Sequence, residues 1–113
     1  MTGADKSEIF NRYGEEVWVK RDFSQLEELL TDDFVGHSGL RDRGREQLKL
    51  DIELYHAHHP SFHFDVLDQF ECGDRLVTRL RAYSVGKLAT GINISRFVDG
   101  RIAEEWAVWT EFE

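Results

Sequence analysis

Three polar side chains, Asn93, Tyr13 and His37, stand among apolar neighbours that would desolvate them. Asn93 interrupts the run Ile92, Asn93, Ile94, and burying its amide there requires a ligand, a water or a side chain to pair it. Tyr13 shares a helical face with Ile9 and Val17, so its phenol faces the interior and must find a partner there. If the two converge, they offer two neutral donors to one carbonyl oxygen, the arrangement that stabilises an enolate during proton transfer. His37 follows the apolar pair Phe34-Val35 and precedes a polar loop, and an imidazole at a pocket rim suits the role of general base near neutral pH. Each has a purely structural counterpart: a satisfied core tyrosine, a paired amide, a histidine bonded to backbone at a strand end.

Other reactive types carry less. His56, His58, His59 and His63 cluster in sequence, but on a helix His56 and His59 share a side while His58 points away, and no carboxylate completes a zinc pattern; no metal site is expected. Solvated histidines near a helix C-terminus are the simpler reading. Cys72 is the only cysteine, which rules out an internal disulfide. Arg79 and Arg81 alternate with Leu80 and are expected to pair across a sheet with Asp65 or Glu105. Trp106 and Trp109 are three apart on an expected strand and so point to opposite faces, one toward a cavity and one toward an outer or subunit surface. With no Gly-rich phosphate loop and no ligand cluster, no cofactor is implied.

The elements that must position these groups fall into two blocks. Asp5-Lys6-Ser7-Glu8 has capping-box spacing and predicts a first helix ending near Lys20. Ser24 to Glu27 repeats the pattern for a short second helix, closed by Thr31-Asp32-Asp33, before a brief extended segment Phe34 to His37 and a polar loop from Ser38 to Arg43. Glu46 to His59 fits a strand by the alternation of Leu48, Leu50, Ile52 and Leu54, yet its residues are strong helix formers and Pro60 imposes a stop, so a third helix is predicted. After Pro60 the period changes to two: Phe62, Phe64, Val66 and Phe70 on one strand, then Arg75 to Tyr83, Leu88 to Val98 and Arg101 to Phe112, joined by turns at Cys72-Gly73-Asp74, Ser84 to Lys87 and Asp99-Gly100. Helices first and strands last argue an α+β domain with one antiparallel sheet.

Composition bounds the function. A chain of 113 residues with 41% hydrophobic and 32% charged residues is sized and composed for one globular domain, here 1–113. A formal net charge of −8 without a basic run disfavours nucleic acid. No apolar run has membrane-spanning length and Met1 to Ser7 is polar, so no membrane association and a cytoplasmic location are expected.

Several strings in order resemble the SnoaL-like polyketide cyclases and ketosteroid isomerases of the nuclear transport factor 2-like superfamily: Arg12-Tyr13, Arg21-Asp22, Thr31-Asp32-Asp33-Phe34, Gly44-Arg45-Glu46, Gly73-Asp74-Arg75-Leu76-Val77 and Arg96 to Trp106. The resemblance implies a cone of helices on a curved, mainly antiparallel sheet, a pocket for a small hydrophobic ligand, and a homodimer. It implies that Tyr13 and Asn93 hold an oxyanion and that Trp18, Phe34, Trp106 or Trp109 shape the cavity. The isomerases' Asp general base has no counterpart in Phe34 to Ser38, which offers His37 instead; the cyclases' Asp after the Glu-Trp pair is replaced here by Ala107 or Thr110, leaving Glu104 or Glu111 as substitute acids. The function implied is isomerisation or cyclisation of a hydrophobic ketone or polyketide-like compound by enolate-stabilised proton abstraction. A non-catalytic ligand-binding or dimerisation module on the same cone is the alternative. A third reading, water addition to an epoxide, would need Arg79 and Asp65 to converge on one water.

Overall fold

A computed structural model describes residues 5–38 and 41–110. Asp5 caps the first helix by accepting a hydrogen bond from the Glu8 amide at 2.8 Å, as the capping-box spacing requires. Helix α1 (Lys6–Arg12) does not continue as an α-helix to Lys20; it widens into a π-helical stretch, Tyr13–Val19, in which Lys20 donates to the Glu15 carbonyl. Wider turns of this kind are rare and recur at functional sites. Here the stretch carries Tyr13, Gly14 and Trp18 to a common cavity. A 3₁₀ turn (Phe23–Gln25) leads into a one-turn helix α2 (Leu26–Leu29).

Strand β1 (Leu30–Ser38) is longer than the segment Phe34 to His37 that hydrophobicity marks, because Thr31, Asp32 and Asp33 belong to the strand and do not cap a helix. The expected loop Ser38 to Arg43 contains a second strand, β2 (Arg41–Arg43), paired antiparallel with β1 through Gly36 and Arg43; Gly39 and Leu40 lie outside the described residues. Helix α3 (Arg45–His58) is confirmed by burial: Leu48 and Ile52, four apart, are buried, whereas Leu50 and Leu54 are exposed, which no two-residue alternation produces.

Strands β3 (His63–Cys72), β4 (Arg75–Ser84), β5 (Lys87–Val98) and β6 (Arg101–Trp109) complete a six-stranded sheet of order β2-β1-β6-β5-β4-β3, antiparallel except where β1 runs parallel to β6. The β4–β5 connection is a two-residue turn, Val85-Gly86, with both residues at positive φ (47° and 77°), and Asp99-Gly100 repeats that geometry (51° and 79°). Two irregularities reset the alternation. A register shift between Val66 and Asp68 leaves Phe70 on the exposed side, 59% accessible, contrary to the even spacing that groups it with Phe64. The second, at Ala103, lets Arg96 pair with Glu104 while Phe97 pairs with Ile102, and it decides which glutamate of β6 faces inward. Three helices thus close the concave face of the sheet over a core of Phe10, Val17, Leu29, Phe34, Ile52 and Ile102, an α+β fold. Among the described residues no helix is long and apolar enough to cross a membrane.

Candidate active site

On β5 and β6 the inward positions are opposed in pairs: Gly91 with Trp109, Asn93 with Ala107, Ser95 with Glu105. Side chains directly opposite share a face, so these six residues floor one part of the concave side. The π-helical stretch crosses above them, and between the two lies a partly enclosed cavity of about 100 Å³, with Tyr13, Trp18, Asn93, Glu105 and Trp109 in its wall. Two glycines make the approach possible. A Cβ on Gly14 would overlap the Phe64 ring, and one on Gly91 would overlap the Trp109 indole, so both rings pack directly against backbone that only glycine leaves bare.

Glu105 is the centre of this wall. It is 4% accessible, and its two carboxylate oxygens are held separately: the Tyr13 phenol donates to Oε1 at 2.9 Å and the Asn93 amide donates to Oε2 at 3.1 Å. The Ser95 hydroxyl donates to Asn93 Oδ1 at 2.7 Å, which fixes the amide with its NH₂ toward Glu105. Burial raises the Glu105 pKa above the ordinary carboxylate value, and the nearby Arg43 cation with the Asn93 and Tyr13 hydrogen bonds offsets part of the rise. Tyr13 is pushed well above its ordinary value, first by burial and then by the Glu105 charge, so it remains a neutral donor. The result is a buried carboxyl biased toward the proton-bound form, with two donors ready for its anion.

Sequence reasoning brings together Tyr13 and Asn93, and the structure does so too, but on a carboxylate of the protein itself. It also brings Trp18 and Trp109 into the cavity wall. It does not bring His37, Phe34 or Trp106. His37 points from the opposite face of β1, with Nδ1 2.7 Å from Asp42 and Nε2 2.6 Å from Glu104, and its ring stacks on Trp106 at 5.4 Å. Both ring nitrogens are occupied away from the cavity, so His37 is not placed to take a substrate proton there. Phe34 is 2% accessible within the core and lines no part of the cavity. Trp106 lies on the outer face under the Arg75 guanidinium, 5.0 Å from the ring centroid. Of the substitute acids, Glu104 is on that outer face and Glu111 lies outside the described residues. Arg79 pairs with Asp68 at 3.0 Å, not with Asp65 or Glu105, which removes the Arg79–Asp65 water site. Among the described residues no three His, Cys, Asp or Glu side chains are grouped to hold a metal; His56 instead shares a hydrogen bond with the Trp18 carbonyl at 2.6 Å.

Glu105 and Arg43 are charged wall residues that composition and pattern did not single out as cavity groups. Glu105 was readable from its pairing opposite Ser95 only once the Ala103 irregularity is known. Arg43 enters from β2, a strand too short to leave a periodic signal.

The site is a buried acid in the concavity of a helix-closed, mainly antiparallel sheet. The chain belongs to the SnoaL-like polyketide cyclase family, whose family model matches residues 8–112. Among solved structures it is similar to IdmH of Streptomyces antibioticus, described as a candidate polyketide cyclase, at 26% identity and a TM-score of 0.81 over 94% of this chain and 92% of that one. A candidate polyketide cyclase of Bacillus cereus shares the fold at 23% identity and TM-score 0.80, over 89% of this chain and 71% of that one. So does a nuclear transport factor 2-like protein of unknown function from Cytophaga hutchinsonii, at 16% identity and TM-score 0.76 over 96% and 93%. No curated protein matches the sequence.

Proposed function

We propose that this protein is a cofactor-independent acid/base enzyme that isomerises or cyclises a small hydrophobic ketone or polyketide-like compound, with Glu105 as the proton carrier. The observation that carries the reading is the buried Glu105 carboxyl, held in the cavity wall by Tyr13 and Asn93 with its pKa raised by burial. A carboxyl moved toward neutrality both accepts and returns a proton efficiently at the pH where it works. In the step we propose, the Glu105 carboxylate takes a proton from the carbon beside the ketone. The C–H electron pair becomes the enolate double bond, and the carbonyl π pair moves onto oxygen. Glu105 then returns the proton to a second carbon, giving the isomer, or the enolate carbon attacks a second carbonyl, whose π pair moves onto its oxygen, and the alkoxide so formed takes the proton from Glu105 to give the cyclised product.

Tyr13 and Asn93 serve in this scheme as positioning residues for Glu105, since their donors are directed to its oxygens. Trp18 and Trp109 offer the apolar walls for the ligand. His37, Phe34 and Trp106 carry no step. A homodimer belongs to the proposal as well: Ile92 and Val108, cross-strand partners on the outer face, are 50% and 76% accessible and form an apolar pair that a second copy would cover.

Deuterium exchange at the α-carbon of small aryl ketones, followed by NMR, tests the proposal. Exchange is expected to rise with pH as Glu105 ionises, and to vanish in Glu105→Gln. Equal exchange by wild type and Glu105→Gln overturns it. One observation favours the alternative of a non-catalytic binding module: both Glu105 oxygens already have partners, as in a purely structural buried acid. Ligand binding without exchange at any pH would be its signature.

A further inference from the structure

In the proposed reaction the substrate oxygen becomes negative, and the two donors expected from sequence to meet that charge are already directed at Glu105. Another donor must face the oxygen. Arg43 is the basic and Glu105 the acidic side chain among the described cavity-lining residues, and Arg43 Nη1 is paired with Asp51 on α3 at 3.2 Å. The Arg43 Nε is buried and has no hydrogen-bond partner, and one face of the guanidinium is covered by the Trp18 indole, 5.5 Å from the ring centroid. A guanidinium presents five N–H donors in a planar fork, suited to a carboxylate or enolate oxygen. Holding it against an aromatic ring and one carboxylate limits the conformations it must give up when it binds.

Resting on the acid/base reading above, we infer that Arg43 recognises the substrate's oxygen, so that the cavity selects a ring-sized apolar molecule presenting an enolate or carboxylate oxygen and takes it up together with one proton on Glu105. Size follows from the volume: a cavity of about 150 Å³ holds a benzene in another protein, and this one, at about 100 Å³, encloses a single ring or less, leaving the remainder at the mouth. The proton follows from charge. An anion entering beside Glu105 meets a second negative charge unless that carboxyl is protonated, and the bound state of anion plus protonated Glu105 has the same charge distribution as the enolate intermediate.

The groups that face this exchange are few. Tyr13 comes from the π-helical stretch, Asn93 from β5, Ser38 from β1, Arg43 from β2, and Asp51 and Tyr55 from α3; β3 and β4 contribute Phe64 and Leu80. His58 and His59 border an adjoining depression with Arg43 and Asp51, and burial, then the neighbouring His58 and Lys87 charges, lowers the His59 pKa. Glu105 is thus the group that gains the proton.

Titration calorimetry with benzoate and with its neutral counterpart benzamide, in two buffers of different ionisation enthalpy, tests the inference on the full chain. Wild type is expected to favour benzoate and to take up close to one proton per benzoate bound at a pH where Glu105 is ionised. Arg43→Gln is expected to lower benzoate affinity at least tenfold while leaving benzamide within about twofold, and Glu105→Gln to retain benzoate binding without proton uptake. If Arg43→Gln does not fold, Arg43→Lys and the wild-type proton count decide the matter: the lysine variant keeps the charge and the preference for benzoate, with weaker affinity. Para-nitrophenol separates the two oxygen sources, since its absorbance reports whether the phenolate, an enolate mimic, is the bound form. A benzoate-to-benzamide ratio unchanged in Arg43→Gln, no proton uptake, or no binding of either probe overturns the inference. Loss of this preference with α-proton exchange still dependent on Glu105 would remove Arg43 alone; loss of exchange dependence with the preference intact would remove the acid/base reading alone.

Discussion

Glu104 and Glu105 are consecutive residues of β6 with opposite surroundings. Glu104 points to the outer face, where His37 and Arg96 hold its oxygens at 2.6 and 3.1 Å, and the His37 hydrogen bond lowers its pKa below the ordinary value. Glu105 points inward, where burial dominates and raises it. The outer acid is fixed as a charge by cations; the inner one has neutral donors in contact and its nearest cation engaged elsewhere. Strand alternation supplies the two addresses, and the partners available on each face determine whether a carboxyl becomes a permanent anion or a group able to exchange its proton.

The sharpest way to break the contrast is to neutralise each acid in turn. Glu105→Gln is expected to reduce α-proton exchange by about 10²- to 10⁴-fold, the usual contribution of a positioned acid or base, while Glu104→Gln leaves the rate within about twofold. Stability moves in the opposite sense. Because the Glu105 pKa is raised on folding, its contribution is present below the unfolded-state value and is lost as pH rises through the folded-state value. Denaturant titration across pH is therefore expected to show wild type losing stability relative to Glu105→Gln as pH increases. A ratio of stabilities that stays flat with pH would mean that Glu105 does not exchange its proton in the folded protein.

How much of this was legible in the sequence depends on where the period of two holds. The α+β order, the third helix and the three glycine-bearing hairpins followed from capping patterns, Pro60 and turn residues, and all are present. Trp106 and Trp109, three apart, fall on opposite faces as the period requires. Applied to β1, the same count separates Phe34 from His37, also three apart: with Phe34 in the core, His37 must point outward. The glutamates were not open to this reasoning. Counting in twos from buried Ile102 puts Glu104 inside; the extra residue at Ala103 reverses the outcome, and such an irregularity depends on pairing with β5, which local sequence does not encode. The π-helical stretch escaped for a related reason, since its residues satisfy the spacing of an ordinary helix.

A second test of the contrast uses the tryptophans. Gly91→Ala places a methyl group within the Trp109 ring, and no backbone shift of β5 is available without disturbing its partner strands on both sides. Overpacking of this type costs about 1–3 kcal/mol, and displacing the indole is expected to weaken ligand binding at the same time. Trp106→Ala, on the outer face, removes a half-buried ring that touches His37 and Arg75 and leaves the cavity wall intact. Binding of a phenol measured for both variants should therefore fall for Gly91→Ala and not for Trp106→Ala. The reverse order would place the ligand on the wrong side of the sheet.

The smallest effect belongs to His37. Hydrogen bonds to Glu104 and then Asp42 raise its pKa, so its stabilising contribution is fully present below the unfolded value of about 6.5 and disappears as pH rises through the folded value. Glu104 has the opposite sign: its contribution is present above its unfolded value and lost as pH falls through the lowered folded one. The pair is therefore strongest between the two transitions, in mildly acidic solution. Because the His37 and Glu104 side chains remain 29% and 26% accessible, solvent screening keeps the ion pair small, about 0.5–1 kcal/mol. His37→Ala is expected to lower Tm by about 2–5 °C near pH 5.5, converging on wild type at alkaline pH, with α-proton exchange unchanged at every pH. An exchange rate that follows the His37 titration would return the imidazole to the reaction and dissolve the distinction between the two faces.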